Sequence, residues 1–146
     1  AAECLTVRMH RSNHPEQTIT YRFEEGPTGK VFVFLTDHEN QDGIPGSFRA
    51  HLKGADLLIA DCQYTREKYE RMTAGWGHAT PDYVTRVARD ADVKALGLTH
   101  HDPWSTDEVI DGIVATAQEA LTDTTIRVFG CKDYMTVEVG QVEAAA

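Results

Sequence analysis

Basic side chains are scarce in this chain: 14 Lys and Arg stand against 23 Asp and Glu, a formal net charge of -9. Nucleic-acid affinity rests largely on Lys and Arg contacts to phosphate. A balance this acidic therefore speaks against an extended nucleic-acid interface and against an anionic membrane surface. Small anionic substrates stay open, because bound metal ions would reverse the local sign. Cysteine is sparse too. Cys4, Cys62 and Cys131 are odd in number, far apart and never in Cys-x-x-Cys spacing, which excludes a thiolate zinc knuckle and fits a reduced, cytoplasmic setting. No apolar run approaches the ~18 residues a membrane span needs, and the opening Ala-Ala-Glu-Cys-Leu-Thr-Val-Arg does not read as a signal peptide. Repeats, low-complexity tracts and long linkers are absent. The 146 residues read as a single domain, 1–146, able to bury a core without disulfides.

What is present is a set of short apolar runs, three of which end on a metal-capable side chain. Val-Phe-Val-Phe-Leu-Thr precedes Asp37, Asp-Leu-Leu-Ile-Ala precedes Asp61, and Lys-Ala-Leu-Gly-Leu-Thr precedes His100. Such runs predict buried strands, and ligands gather beyond strand ends in α/β sheets. Alternation predicts strands at 4–11 and 17–24, the latter joined through Gly-Pro-Thr-Gly to a strand at 30–36 as an antiparallel hairpin. A polar loop is expected at 38–46, a short helix at 47–53, a strand at 56–60, a helical turn or two at 65–72 and a loop at 73–79. Thr80 followed by Pro81 opens a helix to Asp90. A strand at 94–99, a long helix from Thr106 to Leu121 and strands at 125–129 and 134–139 complete the pattern of an α/β layered domain.

Seven histidines offer ligands. His10, on the polar face of a strand, and His51, in a short helix, read as surface residues. His38 reads as a loop histidine, and His101 points away from its neighbour His100. His14 (Ser-Asn-His-Pro), His78 (Gly-Trp-Gly-His-Ala-Thr) and His100 (His-His-Asp-Pro) stand out by position: past a strand, in a glycine-flanked loop, and at a strand end. With Asp37 they make the nitrogen and oxygen donor set that zinc, manganese or iron takes. Asp37 and Asp61 have a plain alternative as caps of the loop or helix that follows.

These segments, in this order, resemble the C-terminal half of the metallo-β-lactamase superfamily, nearest its phosphodiesterase and tRNA 3′-end-processing branch. The likeness rests on Asn-His-Pro-Glu-Gln-Thr from 13, Phe-Leu-Thr-Asp-His-Glu from 34, Gly-Ala-Asp-Leu-Leu-Ile-Ala-Asp from 54, Gly-Trp-Gly-His-Ala-Thr from 75 and Gly-Leu-Thr-His-His-Asp-Pro from 97, with Tyr-Met-Thr-Val-Glu-Val from 134 as a closing strand. The resemblance implies half of a four-layer αββα sandwich, a mixed sheet with helices on one face. It implies two divalent metal ions, zinc with manganese or iron as alternatives. His14 would bind the first metal, His100 the second, and Asp37 would bridge them. His78 would contact the phosphate or protonate the leaving group, with Asp61 behind it.

One departure from the family is large. Its first ligand cluster, His-x-His-x-Asp-His, occurs nowhere in these 146 residues, and zinc sites usually need three or four protein ligands. The chain is thus expected to hold metal weakly by itself and to work with a complementary N-terminal half or as a homo-oligomer. Its substrate is expected to be a small ester or phosphodiester, with no membrane partner. The competing reading is a non-catalytic binding or scaffold module that keeps half the fold. Half a sandwich should expose an apolar sheet face, and the run Val31 to Leu35 is its expected place.

Overall fold

In the computed structural model, which describes residues 4–40 and 43–140, one six-stranded sheet carries the whole arrangement. Its strands lie in chain order: β1 (Leu5–Arg11), β2 (Ile19–Glu25), β3 (Val31–Leu35), β4 (Leu57–Asp61), β5 (Ala95–Thr99) and β6 (Arg127–Gly130). The first three pair antiparallel, and β3 to β6 run parallel. The sheet is mixed because tight turns suffice for hairpins while parallel neighbours need a crossover. Those crossovers carry α1 (Gly46–Leu52) between β3 and β4, then α2 (Arg66–Lys68), whose chain widens into a π turn over Tyr69–Thr73, and α3 (Pro81–Asp90) between β4 and β5. The long α4 (Asp107–Ala120) precedes β6.

Both faces of β4 are buried, which is what a parallel strand inside a sheet requires and why its run Leu-Leu-Ile-Ala lacks alternation. The main core lies on one face. There Val33, Leu35, Leu58, Leu96 and Leu98 meet Phe48 and Leu52 of α1, Val84 and Val87 of α3, and Ile113 and Ala117 of α4. Each fully buried Leu contributes roughly 1.5–3 kcal/mol. The helices thus sit on one face, as expected. The opposite face carries Leu57, Ile59 and Ala95 under Phe32, Phe129, Val137 and Val139. Towards β1 that face is open: Leu5, Val7 and Met9 are exposed, as are Ile19, Tyr21 and Phe34. The exposed apolar surface is therefore broader than Val31 to Leu35, and only Phe32 and Phe34 of that run share in it, since Val33 and Leu35 face the helices.

Two local expectations are corrected. Residues 134–139 make no strand; the segment lays Val137 and Val139 against Phe32, Leu57 and Ile59 instead. His51 is buried rather than on the surface, because α1 turns it under the sheet beside His10, with ring centroids 5.5 Å apart. His38 is buried as well, stacked on Phe48 at 4.4 Å. Part of the polar loop expected at 38–46 and the alanines at both ends lie outside the described residues. Among the described residues no helix is long and apolar enough to cross a membrane.

Burial pushes both His38 and His51 down to about 4 from 6.5, helped at each by the neighbouring His10. Between those two values the folded chain binds fewer protons than the unfolded one, so stability is complete above pH 6.5 and falls as the pH drops towards 4. Each histidine is expected to cost at most about 2 kcal/mol by pH 5. Urea midpoints at pH 7.5 and pH 5.0 check this. Equal midpoints, or an unchanged pH slope in His38→Gln, would remove the explanation.

Candidate metal centre

The carboxyl ends of β3, β4 and β5 lie side by side, and the parallel register sets Leu35 beside Ala60 and Asp61 beside Thr99. The next residues in each strand's path therefore converge. Asp37, Asp61, His78 and His100 each offer a ligand atom, and those atoms lie within 4.8 Å of one another. Asp61 is fully buried at the base, while Asp37 is half-buried and His100 exposed. His100 takes a left-handed backbone, φ 59°, directly after β5, a conformation uncommon for a residue with a side chain and one that turns it off the strand line.

Asp61 Oδ2 accepts from His78 Nδ1 at 2.8 Å, while the backbone N–H of His38 lies 3.4 Å away. Burial raises the Asp61 carboxyl above the usual range against the pull of that histidine. The same hydrogen bond raises His78, with burial opposing it. His100 stacks on His78 with centroids 4.9 Å apart, its Nε2 lies 3.4 Å from Asp37 Oδ1, and its Nδ1 meets Gln63 Nε2 at 3.0 Å. Asp61 Oδ1 is buried with no hydrogen-bond partner among the described residues. An orphaned carboxylate oxygen costs free energy unless something satisfies it. Imidazole and carboxylate donors around it suit a divalent cation such as zinc, manganese or iron. The residues present therefore fit the metal ions that the fold family implies.

His14 stands beside this group but not within it. Its ring packs edge-on to His78 at 5.5 Å, while its Nδ1 accepts from the backbone N–H of Glu16 at 3.0 Å. The loops are joined by a residue that sequence reasoning passed over. Glu39 is buried, and its carboxylate accepts from the backbone N–H of Gly75 at 2.8 Å and of Gly77 at 2.7 Å, and from the Tyr69 hydroxyl. Its own backbone pairs with Asn13, N–H to carbonyl at 2.9 Å, and Asn13 Nδ2 returns a bond to the Glu39 carbonyl at 2.6 Å. Glu39 thus ties the loop before His14 and the loop before His78 to the strand end that bears Asp37. His38 reinforces the same joint. Its Nδ1 accepts from the Asn13 N–H at 3.2 Å and its Nε2 meets Tyr83 Oη at 2.8 Å. Ser12 and Thr18 hydroxyls both donate to the Asp37 carbonyl, at 2.7 and 3.1 Å. The one available sequence signal for Glu39 was its place in Asp-His-Glu; the glycine amides that its carboxylate binds lie more than 30 residues away.

A family model described as a beta-lactamase superfamily domain matches residues 2–101. Ribonuclease Z of Brevibacillus brevis is 32% identical over 104 residues, 68% of this chain and 31% of that protein. Ribonuclease Z of Streptococcus mutans is 35% identical over 98 residues, 67% of this chain and 30% of that protein. The chain therefore spans less than a third of these curated relatives. Among solved structures, the short form of human tRNase Z superposes with a TM-score of 0.67 at 19% identity, covering 95% of this chain and 45% of that one. The metallo-beta-lactamase fold protein YhfI of Bacillus subtilis gives 0.65 at 24% identity, covering 84% and 46%. These structural likenesses establish the fold. The named relatives also correct one expectation. They are ribonucleases, whose substrate is a nucleic acid, so the inference from net charge to a small-molecule substrate and to improbable nucleic-acid binding does not hold. Net charge is a sum over the whole surface and does not report the local field of one cleft.

Proposed function

This chain belongs to the beta-lactamase superfamily, and from that premise we propose that residues 1–146 form one unit supplying part of the active site of a metal-dependent hydrolase that cleaves RNA phosphodiester bonds, as a ribonuclease Z does. The observation that carries the reading is the convergence of Asp37, Asp61, His78 and His100 around the orphaned Asp61 oxygen. A scaffold module would have no chemical need for that convergence.

In this reading Asp37, His100 and His14 would hold two divalent ions, zinc first among them. Bound ions would supply Lewis acidity against the phosphoryl oxygens and a nucleophile at neutral pH. His78 and Asp61 handle the proton. The 2.8 Å bond to Asp61 fixes the tautomer with the proton on Nδ1, which leaves Nε2 as the atom that exchanges a proton with the departing oxygen. The upward shift of His78 keeps more of it protonated near neutral pH, as a general acid requires. Gln63 orients His100, and Glu39 orients the His78 loop. The remaining ligands of the family's pattern are absent from this sequence. The free thiols Cys4, Cys62 and Cys131 support a reducing compartment, the cytoplasm.

The test joins the chain to a segment bearing His-x-His-x-Asp-His, loads zinc, and adds a labelled precursor tRNA with a 3′ trailer. Cleavage abolished by chelator and restored by zinc, manganese or ferrous ion is expected. A metal-loaded protein that leaves RNA intact would return the chain to the scaffold class.

A further inference from the structure

We propose that Trp76 and Trp104 are stacking platforms for the unpaired bases of an RNA strand whose phosphate lies at the candidate metal centre. This rests on the RNA reading above and adds to it where the strand runs. The chain has only two tryptophans, and neither is spent in the core: Trp76 is 54% exposed and Trp104 is 89% exposed. Tryptophan is among the residues that bury most surface on average, so two large rings left in solvent call for a partner.

Both rings stand on loops that carry the centre. Trp76 lies between Gly75 and Gly77, whose backbones take φ values of 88° and 99° that a side chain would strain, and it directly precedes the His78 loop. Trp104 follows His100 by four residues. A continuous set of contacts joins them along one rim. Trp76 packs edge-on to Tyr64 at 6.4 Å, and Tyr64 packs edge-on to His78 at 5.9 Å. Lys68 lies over the Tyr64 ring, 5.3 Å from its centroid, and pairs with Asp102. Asp102 in turn accepts from the Trp104 backbone N–H at 3.2 Å and the Ser105 hydroxyl at 3.1 Å. The rim is therefore held from beneath while its two indoles remain largely exposed.

The local pairing of charge favours bases over backbone as the thing these rings recognise. The one cation among these rim contacts, Lys68, is already paired with Asp102, so attraction to phosphates is a poor source of affinity at this rim. Aromatic stacking needs no net charge and accepts any base. A strand threaded past His78 and His100 would meet an indole on each loop.

The experiment uses the chain in chelator, so that no cleavage occurs, with a single-stranded oligoadenylate RNA as probe. Trp76→Phe and Trp104→Phe leave one tryptophan each, and its fluorescence reports the other position separately. RNA is expected to quench both. Trp76→Ala and Trp104→Ala are each expected to weaken binding about 5- to 150-fold, by a factor that stays nearly constant as salt rises, with an unchanged thermal midpoint. RNA that binds without quenching, and equally well to both alanine variants, overturns the stacking assignment while leaving the RNA reading intact, and turns attention to a protein partner for these rings. Failure of the unaltered chain to bind this RNA also overturns the stacking assignment, while the RNA reading stands or falls on cleavage of the precursor tRNA by the completed protein.

Discussion

Asp37→Ala, in protein completed by the His-x-His-x-Asp-His segment, is expected to lose bound metal and hydrolysis together. Its carboxylate is the one acidic group of the cluster that is not already committed to a histidine bond under 3 Å: Oδ1 stands 3.4 Å from His100 Nε2, whereas Asp61 Oδ2 is taken by His78 at 2.8 Å. Asp37 would be the ligand shared by two ions, so its loss would weaken the hold on both. His78→Ala makes the contrast. Removing a positioned proton donor lowers kcat by about 10²- to 10⁴-fold while most of the metal stays, because Asp37, His100 and His14 remain. Elemental analysis beside single-turnover rates separates the two variants. Full metal occupancy in Asp37→Ala would show that the bridging assignment is wrong.

Gly77→Ala is expected to damage the site nearly as much without replacing a ligand. Gly77 has φ 99°, and a Cβ there would stand 2.5 Å from His14 Nε2 and 2.7 Å from Pro15 Cδ. Backbone strain of this kind costs about 1–3 kcal/mol. The clash adds displacement of His14 away from His78, and misplacement near 1 Å costs on the order of 10²-fold in rate. Gly75→Ala is the control. Its φ is 88°, yet nothing lies within 4 Å of the added atom, so it should lower the melting temperature and leave the rate nearly unchanged. Equal rate losses in both variants would mean that strain alone governs the loop and that the close approach of His14 is irrelevant.

Local pattern carried the fold a long way and then stopped at two kinds of residue. The apolar runs of β3, β4 and β5 and the stripes of α3 and α4 announced themselves because burial imposes its own periodicity. Asp61 and His100 were legible because each ends or follows such a run. The segment at 134–139 also alternates, but alternation reports which side of a chain is apolar, not whether a neighbouring strand offers hydrogen bonds. Here Val137 and Val139 are partly buried without a ladder. His38 and His51 look polar in a sequence and sit in the core, since their partners, Tyr83, Asn13, Phe48 and His10, come from distant elements. Glu39 was hidden for the same reason. The acidic composition misled in a different way, by averaging over a surface on which one cleft decides the substrate.

The joint made by Glu39 has a consequence for how the centre breathes. Three loops meet at one buried carboxylate, one backbone bond and one bond from the Asn13 side-chain amide, so none can open alone without stranding acceptors or amides that the other two satisfy. The amides of Asn13, Glu39, Gly75 and Gly77 therefore belong to a single cooperative unit, which exchanges with solvent all together or not at all. A centre assembled this way loses its geometry in one step rather than fraying ligand by ligand.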